Sequence, residues 1–303
     1  MNNNIVRNHR SRSFVLTTIS ALMMLLVACS PSITSTPLPQ QGSPSSEVSP
    51  ANSTNFRSLK EIQDSATIRI GIFSDKAPFG SVNSEGEYVG YDVEFGKRIG
   101  QDLGVDVEWV PVEAASRVEF LESGKVDIIL ANFTVTNERA EKVDFADPYM
   151  KVALGVATPQ NNPLTVAKDI DKRNVVVVKG TTADTFLAKN YPNLKVTKFE
   201  QYTEVTNALA DGRADAWVTD NTEALAWTGQ TSDWVTSIDN FGEESYIAPA
   251  VSKGNTELRT WLNNELDALA PEKFFHKAFE STLRPVYGTA VDPDSLVVEG
   301  GER

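Results

Sequence analysis

The chain has 303 residues, and its 41 acidic residues outnumber its 28 lysines and arginines, which gives a net charge of -13 at pH 7. Such an acidic chain is a poor partner for nucleic acid, and we expect none to bind. Its single cysteine excludes a disulfide framework. Its two histidines form no pair and no spacing typical of metal ligands, so we expect neither a metal nor a cofactor.

Residues 1–28 have the layout of an export signal. Three arginines, without any acidic residue, precede an apolar run from Phe14 to Ala28. The run is too short for a membrane-spanning helix. It ends in "LVAC", which resembles the lipobox of bacterial lipoproteins. We therefore expect Cys29 to carry a lipid and to anchor the mature chain to the cell membrane, outside the cytoplasm.

Residues 29–56 form a segment dominated by Ser, Pro, Thr, Gln and Asn. It holds few large apolar side chains, so it cannot bury enough surface to order itself. We expect a disordered tether behind the lipidated cysteine. The roughly 245 residues that follow are enough for one large domain or two modest lobes.

Strand and helix patterns alternate from residue 67 onward. "TIRIGIF" has the period-two, β-branched pattern of a strand, and "GYDVEFGKRIGQDLG" has helical spacing, with Asp92 as a candidate N-cap and Gly104 as a candidate end. The same patterns predict strands at 105–112, 126–133, 174–180, 194–199 and 214–220, and helices at 114–124, 182–191 and 203–212. This alternation is typical of an α/β protein with mostly parallel sheets.

One pattern occurs twice, as "LESGKVDIILANFT" at 121–134 and as "LADGRADAWVTDNT" at 209–222. Each copy has a helix end, a glycine, a basic residue, an aspartate and a strand that ends in polar groups. Aligning the two glycines places Asn132 on Asp220. The repeat indicates two similar lobes with polar residues at equivalent strand ends, where open α/β sheets bind ligands. Common helix-to-strand turn chemistry would produce the same short pattern, and both interpretations stay open.

The stretch "ANFTVTNERAEKVDFADPYM" (131–150) runs from an apolar strand into hydroxyls and Arg139. An ordered charge at such a place indicates a nearby anion: a carboxylate, a phosphate or an acidic residue of the same chain. Glu138 and Asp144 are candidates for a surface ion pair, and Thr136 is a candidate N-cap for the following helix. Phosphate is disfavoured, because "VKGTTAD" and the rest of the chain lack the glycine patterns of phosphate-binding and dinucleotide-binding turns.

Six motifs, taken in order from Thr67 onward, resemble the extracellular solute-binding proteins of family 3, the amino-acid receptors of ABC importers. They are "IRIGIFSDKAPFG", "GYDVEFGKRI", "ANFTVTNERAEKVDFADPYM", "VKGTTAD", "DGRADAWVTDN" and "IAPAVSKGN". The cysteine-binding subgroup is similar in longer stretches, namely "VEAASRVEFLESGKVDIILANFTVT", "FFHKAFESTLRPVYG" and "DPDSLVVEGG".

The resemblance implies a two-lobed periplasmic-binding-protein fold of type II, the Venus flytrap, with a mostly parallel sheet in each lobe. Lobe 1 would comprise 57–154 and 244–303, and lobe 2 would comprise 155–243. It also implies a monomer, not an enzyme, that binds a small polar L-amino acid between the lobes and delivers it to an ABC permease in the membrane. A dehydratase on the same fold and a surface adhesin are the minor alternatives.

The resemblance also assigns roles at the ligand. An amino acid carries two opposite charges, and burying either one unpaired is costly. Arg139 and Thr134 match the family positions that hold the α-carboxylate, and Asp220 matches the partner of the α-ammonium. Thr181 and Thr182 match donors of the second lobe. A role as helix N-cap is the alternative for Asp220 and for Thr181.

Further residues bear on specificity. Arg117 indicates a ligand with a polar or anionic side chain, which is cysteine by the subgroup resemblance, with aspartate or glutamate as the alternative. Phe73 and Phe79 flank "SDKAP" and are candidates for packing on the ligand, with core packing as the alternative. Asn132 joins the candidate site through the repeat, whereas His276 is expected on the surface of a C-terminal helix, away from the cleft.

Overall fold

The computed structural model describes residues 55–302, which belong to a compact unit spanning Asn52–Arg303. The predicted signal peptide, the predicted lipidation site Cys29 and nearly all of the predicted tether lie outside the described residues. Within the described range, no helix combines the length and the apolar character needed to cross a membrane.

Fifteen strands lie within residues 55–302. They are β1 (Thr67–Ile72), β2 (Asp75–Lys76), β3 (Gly80–Val82), β4 (Tyr88–Val89), β5 (Asp106–Pro111), β6 (Ile128–Ile129), β7 (Val143–Phe145), β8 (Met150–Val152), β9 (Leu154–Pro159), β10 (Val175–Val178), β11 (Val196–Phe199), β12 (Ala216–Asp220), β13 (Trp234–Ile238), β14 (Ser245–Ile247) and β15 (Ala250–Ser252).

Ten α-helices lie in the same described range. They are α1 (Leu59–Asp64), α2 (Tyr91–Leu103), α3 (Arg117–Glu122), α4 (Asn137–Ala140), α5 (Thr182–Asn190), α6 (Tyr202–Ala210), α7 (Asn221–Gln230), α8 (Thr256–Leu269), α9 (Phe274–Ala278) and α10 (Arg284–Tyr287). Short 3-10 helices occupy Ala114–Ser116, Ala167–Lys172, Ala270–Glu272 and Pro293–Ser295, and a π-helical turn occupies Phe279–Leu283.

Two five-stranded sheets organise the described residues, in the orders β5-β1-β6-β15-β7 and β11-β10-β12-β9-β13. In the first sheet, β1 pairs in parallel with β5 and β6, and β15 runs antiparallel to β6 and β7. In the second sheet, β10 pairs in parallel with β11 and β12, and β9 runs antiparallel to β12 and β13. Four of the five strands in each sheet therefore run in one direction, which confirms the predicted two-lobed α/β fold.

The strands of the two sheets come from separate stretches of the chain. The first sheet takes strands from Thr67–Phe145 and one late strand, β15, whereas the second sheet lies within Leu154–Ile238. The assignment of strands to the two sheets does not fix the exact residues at which the lobes meet, so the boundaries 154/155 and 243/244 stay a prediction. Two small sheets, β2-β3-β4 and β8-β14, complete the described strands.

The repeated pattern of the sequence falls on equivalent places in the two sheets. Strands β6 and β12 are each the third strand of their sheet. Gly124 and Gly212, which precede them, both have left-handed backbone, with φ of 68° and 69°. Only glycine adopts this conformation without a steric cost. The two interpretations of the repeat, similar lobes and common turn chemistry, are therefore compatible. The same glycine turn precedes the equivalent strand in each of the two similar sheets.

Helix α2 follows the spacing that the sequence predicts. Phe95, Ile99 and Leu103 are buried along one face, so the helix covers the first sheet with an apolar stripe. Gly104 adopts left-handed backbone at the C-cap, and its N–H donates to the carbonyl of Gly100. This is the predicted helix end, formed where glycine is favoured.

The prediction that Asp92 caps helix α2 is wrong. The helix begins at Tyr91 with Gly90 as N-cap, and the Asp92 side chain is fully buried. Its carboxylate accepts from the backbone N–H of Asn132 at 2.7 Å and from the hydroxyl of Tyr149 at 2.7 Å. Asp92 therefore links the helix to the residues after β6, and burial raises the pKa of this carboxyl to about 7.

Candidate ligand-binding cleft

A cavity of about 880 Å³ lies beside the residues that follow β6 and β12. Its lining comes from both halves of the described chain and falls within 114–118, 133–154, 180–190, 220 and 242–245. This volume is typical of small-molecule sites. Four of the predicted site residues line it, namely Thr134, Arg139, Thr182 and Asp220, and the other five do not.

Arg139 is positioned by the short helix α4. The Thr136 hydroxyl caps this helix as predicted and accepts from the backbone N–H of Arg139 at 3.2 Å. The guanidinium donates to the carbonyl of Thr134 at 2.6 Å and to the carbonyl of Gly180, in the other half, at 3.1 Å. Its carbon lies 4.5 Å from the centre of the Phe133 ring. Arg139 is thus fixed in the cavity wall by neutral groups.

The guanidinium of Arg139 has no carboxylate within 4.0 Å among residues 55–302. The predicted alternative, a surface ion pair with Glu138 or Asp144, is wrong, because Asp144 pairs with Lys253 at 2.9 Å. Burial and the neighbouring charge of Arg117 lower the pKa of Arg139 to about 9. Since arginine stays protonated in proteins, the cavity wall holds a positive charge without a counter-ion.

Arg117 is fully buried, unlike the half-buried Arg139, and it does not line the cavity. It donates to the carbonyls of Ala114 at 2.9 Å, Ala131 at 2.8 Å and Gly180 at 3.4 Å. Its guanidinium also lies 4.5 Å from the centre of the Phe133 ring. Arg117 therefore adds positive charge near Arg139 while its own hydrogen bonds go to the backbone, and burial lowers its pKa.

The loop at Gly180 brings the two halves into contact. Gly180 has left-handed backbone, with φ of 76°, and a Cβ at this position would lie 2.5 Å from the Cα of Ala115. Its carbonyl accepts from both arginines of the other half. A glycine is needed here for close approach as well as for its backbone conformation.

Asp220 ends β12 and stands immediately before α7, on the cavity wall. It occupies the N-cap position, yet its side chain makes no capping hydrogen bond, so the predicted capping role is wrong for the carboxylate. The Oδ2 atom lies 3.1 Å from the Nζ atom of Lys76. The Oδ1 atom makes no hydrogen bond within the described part of the chain.

The threonines divide between structural and cavity positions. The Thr181 hydroxyl caps α5, because it accepts from the N–H of Asp184 at 3.3 Å and donates to the carbonyl of Val178 at 2.7 Å. This is the alternative that the sequence analysis left open for Thr181. Thr182 and Thr134 line the cavity, so their hydroxyls are placed where a ligand could reach them.

Asn132, Phe73 and Phe79 are buried and do not line the cavity. Asn132 has left-handed backbone, with φ of 46°, and its Oδ1 atom accepts from Lys76 Nζ at 2.6 Å. The Phe73 ring meets the Tyr202 ring edge to face at 5.3 Å. For both phenylalanines the structure shows the core packing that was the alternative to ligand contact.

Lys76 and Glu223 are buried polar residues that the sequence analysis missed. The Lys76 side chain is 1% exposed and Glu223 is 4% exposed. Lys76 could have been noticed as a lysine enclosed by aromatic and proline residues in "FSDKAPF". Glu223 could have been noticed three residues after Asp220, on the same face of a helix start.

The positions of possible metal ligands and of His276 bear on the chemistry of this cavity. Among residues 55–302, no three His, Cys, Asp or Glu side chains are grouped so that they could hold a metal ion. His276 lies on α9, where its ring contacts Asp294 and Glu299, each at 2.8 Å, and it does not line the cavity.

The two similar sheets and the cavity between them, with polar residues at the ends of equivalent strands, define a two-lobed α/β receptor for a small solute. Residues 68–281 match the family model of bacterial extracellular solute-binding proteins, family 3. The chain belongs to this family.

Solved structures and curated relatives agree with this family. The chain is similar to the solute receptor for L-cysteine of Neisseria gonorrhoeae, with 48% identity, a TM-score of 0.78, and coverage of 80% of this chain and 100% of that one. It is equally similar to the cysteine-binding protein of Campylobacter jejuni, with 48% identity, a TM-score of 0.78, and coverage of 80% and 98%. The ABC transporter glutamine-binding protein of Bacillus subtilis (strain 168) is 28% identical over 231 residues, which are 75% of this chain and 84% of that protein.

Proposed function

We propose that this protein is the substrate-binding component of an amino-acid ABC importer, and that its ligand is L-cysteine, bound between the two lobes. The observation that carries the proposal is the charge arrangement of the cavity. Within residues 55–302, Arg139 lines it without a carboxylate partner, and Asp220 lines it with one oxygen free of hydrogen bonds. A zwitterion supplies the two missing partners.

The α-carboxylate would bind on the Arg139 side. A guanidinium presents two parallel N–H groups that fit the two oxygens of a carboxylate. The Thr134 and Thr182 hydroxyls line the same cavity, and the N–H groups of the first turn of α5 are close to Thr182. Helix N-termini favour anions, so this end of the cavity suits a negative group.

The α-ammonium would bind at the Oδ1 atom of Asp220. The Oδ2 atom is already engaged by Lys76, and a carboxylate has lone pairs enough for both partners. The ammonium would add a charge-assisted hydrogen bond, worth about 1.5 to 3 kcal/mol net.

The choice of cysteine rests on the relatives named as cysteine receptors, at 48% identity over 80% of this chain. Ala114 and Ala115 line the cavity, which favours a small side chain. Aspartate and glutamate are the second candidates, because the unpaired charges of Arg117 and Arg139 attract a second carboxylate more strongly than a thiol.

Ligand binding would act by stabilising the closed form of the two lobes. Contacts from Arg139 to Gly180 and from Lys76 to Asp220 already cross the cleft. A ligand that touches both walls adds differential contacts to this form and shifts the population toward it. The closed surface would then be recognised by the membrane permease.

The cellular setting completes the proposal. Lipid attachment at Cys29 would hold the protein at the outer side of a cell membrane, and a monomer without enzymatic activity suffices for capture and delivery. Turnover of a bound ligand would support a dehydratase on this fold instead, and binding to a cell surface would support an adhesin.

Calorimetric titration of the purified protein with the twenty amino acids and cystine tests the proposal. We expect cysteine to bind at micromolar concentration or below, which corresponds to about 8 kcal/mol. If aspartate or glutamate displaces cysteine at equal concentration, the cysteine assignment fails and the amino-acid receptor stands. If no amino acid binds, the proposed function is wrong.

A further inference from the structure

Lys76 is a buried cation that spans the cleft. Its Nζ atom lies 2.6 Å from Asn132 Oδ1, 3.1 Å from Asp220 Oδ2 and 3.7 Å from Glu223 Oε2. Burial opposes this charge, and the acidic groups of Tyr202, Asp220 and Glu223 outweigh burial, so the pKa of Lys76 lies above its usual value. The ammonium of Lys76 is therefore the standing counter-ion of Asp220.

The surroundings of Lys76 hold its ammonium in place. Three aromatic rings surround it, with the ring centres of Tyr202 at 4.7 Å, Phe79 at 5.4 Å and Phe73 at 5.7 Å. The preceding residue, Asp75, accepts from the backbone N–H of Tyr202 at 2.8 Å, at the first turn of α6. Moving the Lys76 ammonium away from Asp220 would therefore also break its contacts with the three rings, while Asp75 holds the adjacent backbone against α6.

The charged residues near the cleft differ in whether they have a close partner of opposite charge. Lys76 and Asp220 neutralise each other, and burial raises the pKa of Glu223 to about 8, so this carboxyl is mostly neutral at pH 7. Arg139 keeps an unpaired positive charge in the wall, and Arg117 has no carboxylate within 4.0 Å in the described range either. A ligand with an additional positive charge would meet two arginines without a close carboxylate, in a lining that also contains Glu138, Glu141 and Glu243.

We propose that Lys76 is a specificity-determining residue, which occupies one oxygen of Asp220 and thereby makes the cleft reject amino acids with cationic side chains. The inference rests on the proposed amino-acid-binding function. A purely structural ion pair would affect stability only, whereas a charge filter changes the ratio of affinities for two ligands of similar size and different charge.

The test compares L-cysteine with L-diaminopropionate, an amino acid of similar size whose side chain ends in an ammonium. Lys76→Gln removes the charge and keeps N–H donors for Asn132 and Asp220. We expect the wild-type preference for cysteine over diaminopropionate, measured by calorimetry, to fall by about tenfold or more in this variant. The matched control is Lys189→Gln, which removes an equal charge from an exposed position of the cavity lining.

Two results would overturn the inference. One is a preference in Lys76→Gln that stays within about twofold of wild type, and the other is an equal change in Lys189→Gln. If Lys76→Gln does not fold, Lys76→Met/Glu223→Gln is compared with Glu223→Gln, and the same fall in preference is expected. If wild type binds no amino acid at all, it is the proposed function that has failed.

Discussion

The two walls of the cleft handle their charges in opposite ways. On the first, the partners of Arg139 and Arg117 in the described part of the chain are backbone carbonyls and the Phe73 and Phe133 rings. On the second, Asp220 is already neutralised by Lys76, a lysine that reaches across from the first half. The two arginines therefore lack a close carboxylate in the described range, whereas Asp220 already has a close cation.

This difference indicates which part of a zwitterion contributes most to binding. The carboxylate would neutralise a charge that has no partner, so most of its attraction is a net gain. The ammonium would share a carboxylate that has a partner already, so its gain is smaller. We expect variants of the arginine wall to affect affinity more strongly than variants of the acidic wall, as the following predictions specify.

The largest effect is expected for Arg139→Ala. Loss of the guanidinium should weaken cysteine binding by about 3 to 5 kcal/mol, which places it beyond detection by calorimetry. The free energy of unfolding should stay the same or rise, because the variant removes a half-buried charge that has no carboxylate within 4.0 Å among residues 55–302. Arg213→Ala is the control, since Arg213 is half exposed and pairs with Asp211 at 3.2 Å. Binding of Arg139→Ala within a few-fold of wild type would locate the carboxylate elsewhere.

A smaller effect is expected for Asp220→Asn. Cysteine binding should weaken by about 1.5 to 3 kcal/mol, through loss of a charged acceptor for the ammonium. Binding of mercaptopropionate, which lacks the amino group, should change much less. The free energy of unfolding should also fall by about 1 to 3 kcal/mol, because Lys76 loses its nearest carboxylate. Equal affinity of wild type for cysteine and mercaptopropionate would contradict this role.

Glu223, near the acidic wall, should make the free energy of unfolding depend on pH. Burial raises its pKa from 4.5 to about 8, so between these values the folded state holds a proton that the unfolded state has lost. This contribution makes the free energy of unfolding fall as pH rises through the window. Thermal melts of Glu223→Gln should show less of this fall, by on the order of 2 kcal/mol at the upper end. The exposed Glu280→Gln serves as control, and parallel curves for Glu223→Gln and wild type would refute the assignment.

The smallest effects distinguish the two threonines of the second half. Thr181→Val should lower the free energy of unfolding by about 1 kcal/mol, because it removes the cap of α5, and should leave affinity nearly unchanged. Thr182→Val should weaken cysteine binding by about 1 kcal/mol with little effect on stability. Melts and titrations of both variants check this, and the reverse assignment would show that Thr181 is the ligand donor.

Part of the site could be predicted, because its geometry is local. Thr136 caps the helix that carries Arg139, and Arg139 follows it by three residues, so a sequence pattern suffices to place them together. The resemblance also named Thr134, Thr182 and Asp220, which all line the cavity. The role of Arg117 in specificity stays a prediction, and its hydrogen bonds to the carbonyls of Ala131 and Gly180 span 14 and 63 residues, which no local pattern reveals.

The sequence by itself determined the alternation of strands and helices, the glycine turns before β6 and β12, and the end of α2 at Gly104, because these depend on periodicity and on backbone conformation within a few residues. Only the tertiary structure decided which buried charges meet which partners. Lys76 and Asp220 are 144 residues apart, and Asp92 and Asn132 are 40 apart. Such pairs form where two distant segments exclude water together, and the cost of burying a charge then selects the partner that lies within reach.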